Sequence, residues 1–172
     1  MKIFFSLISL FIFVSIKAQV MTEDDVELAI KSDKTTYFYN SPNGSIIDSI
    51  QKLKNGFETF IVVIDSSSNE WVKIKRYYSV PFIEKRKKSN EPLWLEIKHL
   101  ESALQPPFKL YENPNFNSQV ILESKNKILK DNKVNIEKIQ GKWIKVIYNA
   151  TEGWVFYTQL CPLKHTTCNQ QN

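Results

Sequence analysis

The sequence predicts an all-β protein whose body is two tandem small barrels, with a leader outside the fold. Three observations predict this. The chain repeats itself at a fixed offset, its apolar residues alternate with period two, and convincing helical spacing is missing beyond the leader.

The repeat is the strongest of the three. Sliding the sequence by 72 positions places Tyr39 on Tyr111, Pro42 on Pro114 and Asn43 on Asn115. Val62 then falls on Val134, Ile64 on Ile136, Trp71 on Trp143 and Lys73 on Lys145. Conservative matches such as Phe38 with Leu110 and Ile50 with Leu122 extend the register from Phe38 to Ile74 without a gap. Leu93-Trp94-Leu95 then matches Gly153-Trp154-Val155, and Leu100 matches Leu160, at an offset of 60. The first copy therefore holds about 12 extra residues within 76–92, and the chain holds two copies of one structural unit.

Taken in order, residues 1–18 read as a signal peptide. Lys2 precedes the apolar run Ile3 to Ile16, and small Ala18 stands where a peptidase would cut. A run of about 14 residues is short for a membrane span, so the chain is expected to be exported, to the periplasm or outside the cell. A second such run is missing, and no stable span is expected in the mature chain. Residues 19–34 form an N-terminal segment that reads equally as a capped helix from Thr22 or as a strand through Val26, Leu28 and Ile30.

The first barrel is expected over 35–100, with the insertion near 76–92. Residues 101–107 read as a linker stiffened by Pro106-Pro107, the second barrel spans 108–160, and a tail covers 161–172. In each copy an aromatic strand meets a turn, Pro42-Asn43-Gly44 or Asn113-Pro114-Asn115. Two alternating strands follow, split by the polar turn Ser66 to Asn69 or by Gln140-Gly141. In the second copy, a turn over 149–153 leads into Trp154-Val155-Phe156-Tyr157. Short antiparallel strands in so few residues hide their apolar side by curling into a barrel.

This order of motifs resembles bacterial SH3 (SH3b) domains. The second copy carries it as Leu110-Tyr111-Glu112-Asn113-Pro114, Lys142-Trp143-Ile144-Lys145-Val146, Glu152-Gly153-Trp154-Val155 and Gln159-Leu160. The first carries Phe38-Tyr39-Asn40-Ser41-Pro42, Glu70-Trp71-Val72-Lys73-Ile74, Leu93-Trp94-Leu95 and His99-Leu100, with Leu93 in place of the glycine. The resemblance implies SH3-like barrels that bind peptidoglycan peptide or glycan through an aromatic groove. It places a non-catalytic binding module in the bacterial cell envelope, with a protein-interaction or scaffolding role as the alternative.

The chemistry of the residues points the same way. Removing Lys2 and Lys17 with the leader leaves 21 basic against 18 acidic residues, a net charge of +3, too mild for a nucleic-acid partner. The two histidines, His99 and His165, do not recur between copies, no nucleophile and base share a rigid scaffold, and metal-ligand spacings and phosphate loops are missing. No catalytic residue, metal or cofactor is expected. Cys161 and Cys168 are expected to form a local disulfide after export. Candidate binding residues are Tyr37, Tyr39, Trp71, Tyr111, Trp143 and Tyr157, whose rings can stack on sugar or peptide while their polar tips hydrogen-bond at the rim. The insertion adds a basic loop, Lys85-Arg86-Lys87-Lys88, suited to anionic polymer.

Overall fold

The computed structural model describes residues 25–31, 33–51, 58–80, 91–125 and 132–162. The leader, the basic loop Lys85 to Lys88 and Cys168 lie outside the described residues. The all-β class holds. Among the described residues, thirteen strands and two short 3-10 helices make up the order, and every strand pairing is antiparallel. Among the described residues no helix is long and apolar enough to cross a membrane.

The first copy runs β1 (Val26–Ile30), β2 (Thr36–Tyr39), β3 (Ile46–Ile50), β4 (Thr59–Ser68), β5 (Trp71–Val80), β6 (Leu93–Glu96), a 3-10 helix at Ile97–His99, and β7 (Leu100–Leu104). The second runs β8 (Phe108–Tyr111), β9 (Val120–Ser124), β10 (Lys133–Gln140), β11 (Trp143–Tyr148), β12 (Thr151–Phe156), a 3-10 helix at Tyr157–Gln159, and β13 (Leu160–Cys161). Hydrogen bonds join them in the path β3-β2-β6-β5-β4-β1-β7-β10-β11-β12-β8-β9, with β13 also on β7.

The pairings repeat as the sequence does. β1 bonds β4 and β7 in the first copy, and β7 bonds β10 and β13 in the second. β7 is therefore the last strand of one copy and the first of the next. The stretch 101–107, expected as a linker, is instead a structural strand as far as Leu104, followed by a cis Pro106–Pro107 bond. In the described part of the undecided N-terminal segment, β1 forms and its Val26, Leu28 and Ile30 enter the core, while Thr22 lies outside the described residues. The ladder is one open antiparallel sheet with ends at β3 and β9, where two separately closed barrels were expected. A strand that serves both copies leaves no spacer to separate them.

Local chemistry explains the hairpins. β4 and β5 turn through Asn69 at φ 52°, and β10 and β11 turn through Gly141 at φ 58°, equivalent positions filled by residue types that tolerate the left-handed region. One extra residue bulges each strand at the same place, Asp65 in β4 and Glu137 in β10, because Ile64 faces Ile74 while Ser66 faces Lys73, and Ile136 faces Val146 while Lys138 faces Lys145. The bulge moves the buried phase from Val134 and Ile136 to Ile139. β4 departs from alternation altogether, since Phe60 to Ile64 is buried on both faces. The turn expected over 149–153 narrows to Asn149-Ala150, both at positive φ, and β12 starts at Thr151.

One alignment is corrected. Ile50 pairs with Thr36, but Leu122 pairs with Leu110, the counterpart of Phe38. The β8–β9 loop is two residues longer than the β2–β3 loop, so β9 sits two positions out of the gapless register. That added length matters below.

Candidate functional site: an aromatic cluster on the second copy

Tyr39 and Tyr111 each end the strand before the first loop, and Trp71 and Trp143 each begin the strand after the tight turn. β6 and β12 bring them together, since Trp94 pairs with both Tyr39 and Lys73, and Trp154 with both Tyr111 and Lys145. Tyr39 and Trp71 meet edge to face at 5.1 Å, and Tyr111 and Trp143 do the same at 5.4 Å. Four of the six expected binding residues thus form two equivalent pairs. Tyr111 is only 9% exposed, so its ring is a wall of the site more than a contact surface. Tyr37 is exposed on the same strand as Tyr39, with no ring contact among the described residues.

The copies then diverge. In the second, the longer loop raises Phe116 to 4.7 Å from Trp143 and 6.1 Å from Tyr111. Phe156 closes the other side at 5.0 Å from Phe116 and 5.3 Å from Trp143, and Tyr157 continues the row at 5.1 Å. Lys142 Nζ stands 5.3 Å from the Tyr157 ring centre, within cation–π range. Phe116 is 61% exposed, the highest value among the exposed large apolar side chains of the described residues. In the first copy the shorter loop 40–45 has no aromatic residue, and Glu96 and Ile97 stand where Phe156 and Tyr157 do.

The loop under Phe116 is held by its own polar groups. Asn113 N–H donates to Ser118 Oγ at 2.9 Å, Asn117 N–H to Asn115 Oδ1 at 3.0 Å, and Glu112 N–H to Gln119 O at 2.9 Å. These bonds fix the ring at the tip before any ligand arrives. The result is a ring platform bordered by neutral amides and one ammonium, a surface that stacks on C–H faces and hydrogen-bonds at its edge.

Sequence reasoning missed Phe116 and Phe156. The second was recoverable: with the turn at Asn149-Ala150, Phe156 falls directly opposite Trp143. Phe116 depends on loop length, which a gapless alignment conceals. Trp154 is buried, as a core role requires.

Cys161 is buried on β13, where its carbonyl accepts from Ser102 Oγ at 2.9 Å. His99 is largely buried, and its Nδ1 has no partner among the described residues. Burial, with nearby Lys34 adding to it, lowers its pKa below the usual 6.5. The folded state thus favours neutral imidazole, and stability should fall as pH drops through about 6.5 towards the depressed value, then level off. His99→Gln, which installs the residue found at 159, should remove that part of the acid-side loss; urea midpoints at neutral pH and near pH 5 check it.

The chain matches no family profile and no curated protein. Among solved structures it is similar to NlpC2 from Trichomonas vaginalis (11% identity, TM-score 0.30, covering 81% of this chain and 48% of that one). It is also similar to NlpC1 from the same organism (11%, TM-score 0.31, 83% and 48%). A third is an NlpC/P60 family protein from Bacillus cereus ATCC 10987 (11%, TM-score 0.28, 78% and 55%). This chain spans about half the length of each. A likeness this loose decides neither fold nor activity.

Proposed function

We propose that the protein is an exported, non-catalytic binding module of the bacterial cell envelope that holds a wall component, glycan or peptide, on the ring platform of its second copy. The observation that carries this is the five-ring cluster of Tyr111, Phe116, Trp143, Phe156 and Tyr157, of which only the Tyr–Trp pair recurs in the first copy. Two copies with the same strand pairings need the same core, so rings present in one alone are not demanded by folding. The ordered tryptophan motifs that resemble bacterial SH3 domains, behind an apolar leader, supply the envelope setting.

The test is co-sedimentation of the purified protein with insoluble bacterial wall at low salt. Saturable retention is expected; protein left wholly in the supernatant would count against the reading. Export also implies a Cys161–Cys168 disulfide, worth roughly 2–3 kcal/mol for so short a loop. Intact mass should rise by about 2 Da on reduction, and a stoichiometric free thiol before reduction would overturn that pairing.

A second reading is a protein-interaction module. Ile46 (54% exposed) on β3 and Val120 (39%) on β9 place apolar side chains on the two strands that end the sheet, and open strand edges accept a partner strand. Failure of wall retention together with a partner lost on Val120→Lys would favour it.

A further inference from the structure

The shared strand creates a second feature that neither copy has alone. A cleft of about 360 Å³ lies between the 3-10 helix Ile97–His99 of the first copy and β10 of the second. Ile97 and Ile136, both buried, form its apolar floor. Its mouth combines acids from both copies: Glu70 on the tight turn and Glu137 on the bulge of β10. Lys31 lines the cleft too, and its Nζ donates to the Lys98 carbonyl at 2.7 Å. A smaller hollow of about 240 Å³ shares Lys31 and Asn135 with it and is lined also by Asp33, Glu101 and Lys133.

The frame around the cleft is fixed. Ile97 N–H donates to Glu70 O at 2.8 Å, and Ser67 Oγ donates to Ile139 O at 2.9 Å across the copies. Glu96, also at the cleft, pairs with Lys98. Glu70 and Glu137 have no ion pair among the described residues.

The internal repeat serves as the control. Lys31, Glu70, Glu96 and Lys98 correspond in the second copy to Gln105, Lys142, Phe156 and Thr158, so each of these four charges is lost or reversed in a unit with the same pairings; Glu137 keeps an acidic counterpart, Asp65, but that one pairs with Lys73. The strand fold does not require these charges at these places. A lining that holds two acids without an ion pair and a partly desolvated ammonium is complementary to a ligand that carries both signs. Burial lowers the Lys31 pKa, the mark of an ammonium short of water, with Glu101 and Asp33 pulling the other way.

We infer that the inter-copy cleft is a binding site for a small zwitterion, an amino acid or short peptide with free ends, whose ammonium meets Glu70 and Glu137 and whose carboxylate meets Lys31. It uses none of the rings of the platform, so the two readings stand or fall separately. The probe is the dipeptide alanyl-alanine, titrated into the purified protein while backbone amide resonances are followed. Ile97 and Ile136 should shift saturably, with a dissociation constant of about 1–10 mM for so few polar contacts. N-acetyl-alanyl-alanine and alanyl-alanine amide, each lacking one charge, should bind about tenfold more weakly. Glu137→Gln should weaken the dipeptide, whereas Glu152→Gln, whose carboxylate pairs with Lys145 on the second copy, should not. The inference is overturned if no saturable shift occurs, if the three dipeptides bind alike, if Glu137→Gln binds like the parent, or if the shifts fall on the ring platform instead.

Discussion

Leu100→Ala is expected to weaken both copies at once, by about 2–5 kcal/mol, and to keep unfolding a single transition. Leu100 and Leu104 are fully buried on β7, where Leu100 lies opposite Ile30 of β1 and Leu104 opposite Leu160 of β13. The strand between them also bonds β10 through Ser102 and Ala103. Opening β7 therefore removes the ladder partner of β1 and of β10 together. With a urea dependence of about 1–3 kcal/mol per molar, the midpoint should fall by roughly 1–3 M. Hydrogen exchange separates the outcomes. Loss of protection in β4 and β10 in parallel is expected; loss in β4 with β10 unchanged would mean that the copies fold independently.

That coupling is what the sequence did not disclose. Residues 101–107 look like a spacer because Pro106-Pro107 and Glu101 fit one, and because a repeat is naturally cut where its register changes. Yet Leu100, Ala103 and Leu104 are strand residues with buried faces, and the same five-residue strand serves the end of one unit and the start of the other. The hairpin cores were legible. Val134, Ile136, Ile144 and Val146 alternate as half-buried strands do, and Trp71 and Trp143 open equivalent strands. Two things hid the rest. Bulges at Asp65 and Glu137 switch the buried phase within a strand, and a loop two residues longer moves β9 without changing its composition. Periodicity cannot report either, because both are insertions into a ladder whose partner is unknown from sequence.

The candidate site shows the same division. Tyr39, Trp71, Tyr111 and Trp143 were marked by recurrence, and recurrence marks what the fold shares. Phe116 and Phe156 were missed because they do not recur, and it is the unshared residues that separate a surface from a scaffold. Gly153 belongs to the same contrast. A Cβ there would lie 2.8 Å from Ile121 Cδ1 and 2.9 Å from Leu110 Cβ, so the second copy packs β9 against bare backbone where the first carries Leu93. The displaced β9 and the raised Phe116 loop are thus parts of one local rearrangement.

Phe116→Ala should separate binding from stability. With 61% of its surface exposed and its loop held by the amides and hydroxyl of Asn113, Asn115, Asn117 and Ser118, the ring adds little to folding, and the urea midpoint should stay within the range of ordinary surface changes, about ±0.5 kcal/mol. Wall retention should fall about tenfold, because the substitution removes the outermost ring, which a ligand would meet along with Trp143 and Phe156. Trp71→Phe in the first copy keeps an aromatic ring against Tyr39 and should leave retention unchanged. The comparison asks which copy holds the ligand. Equal loss from both substitutions would spread binding over both copies and end the case for a platform confined to the second, while an undiminished Phe116→Ala would show that its ring stands apart from the ligand.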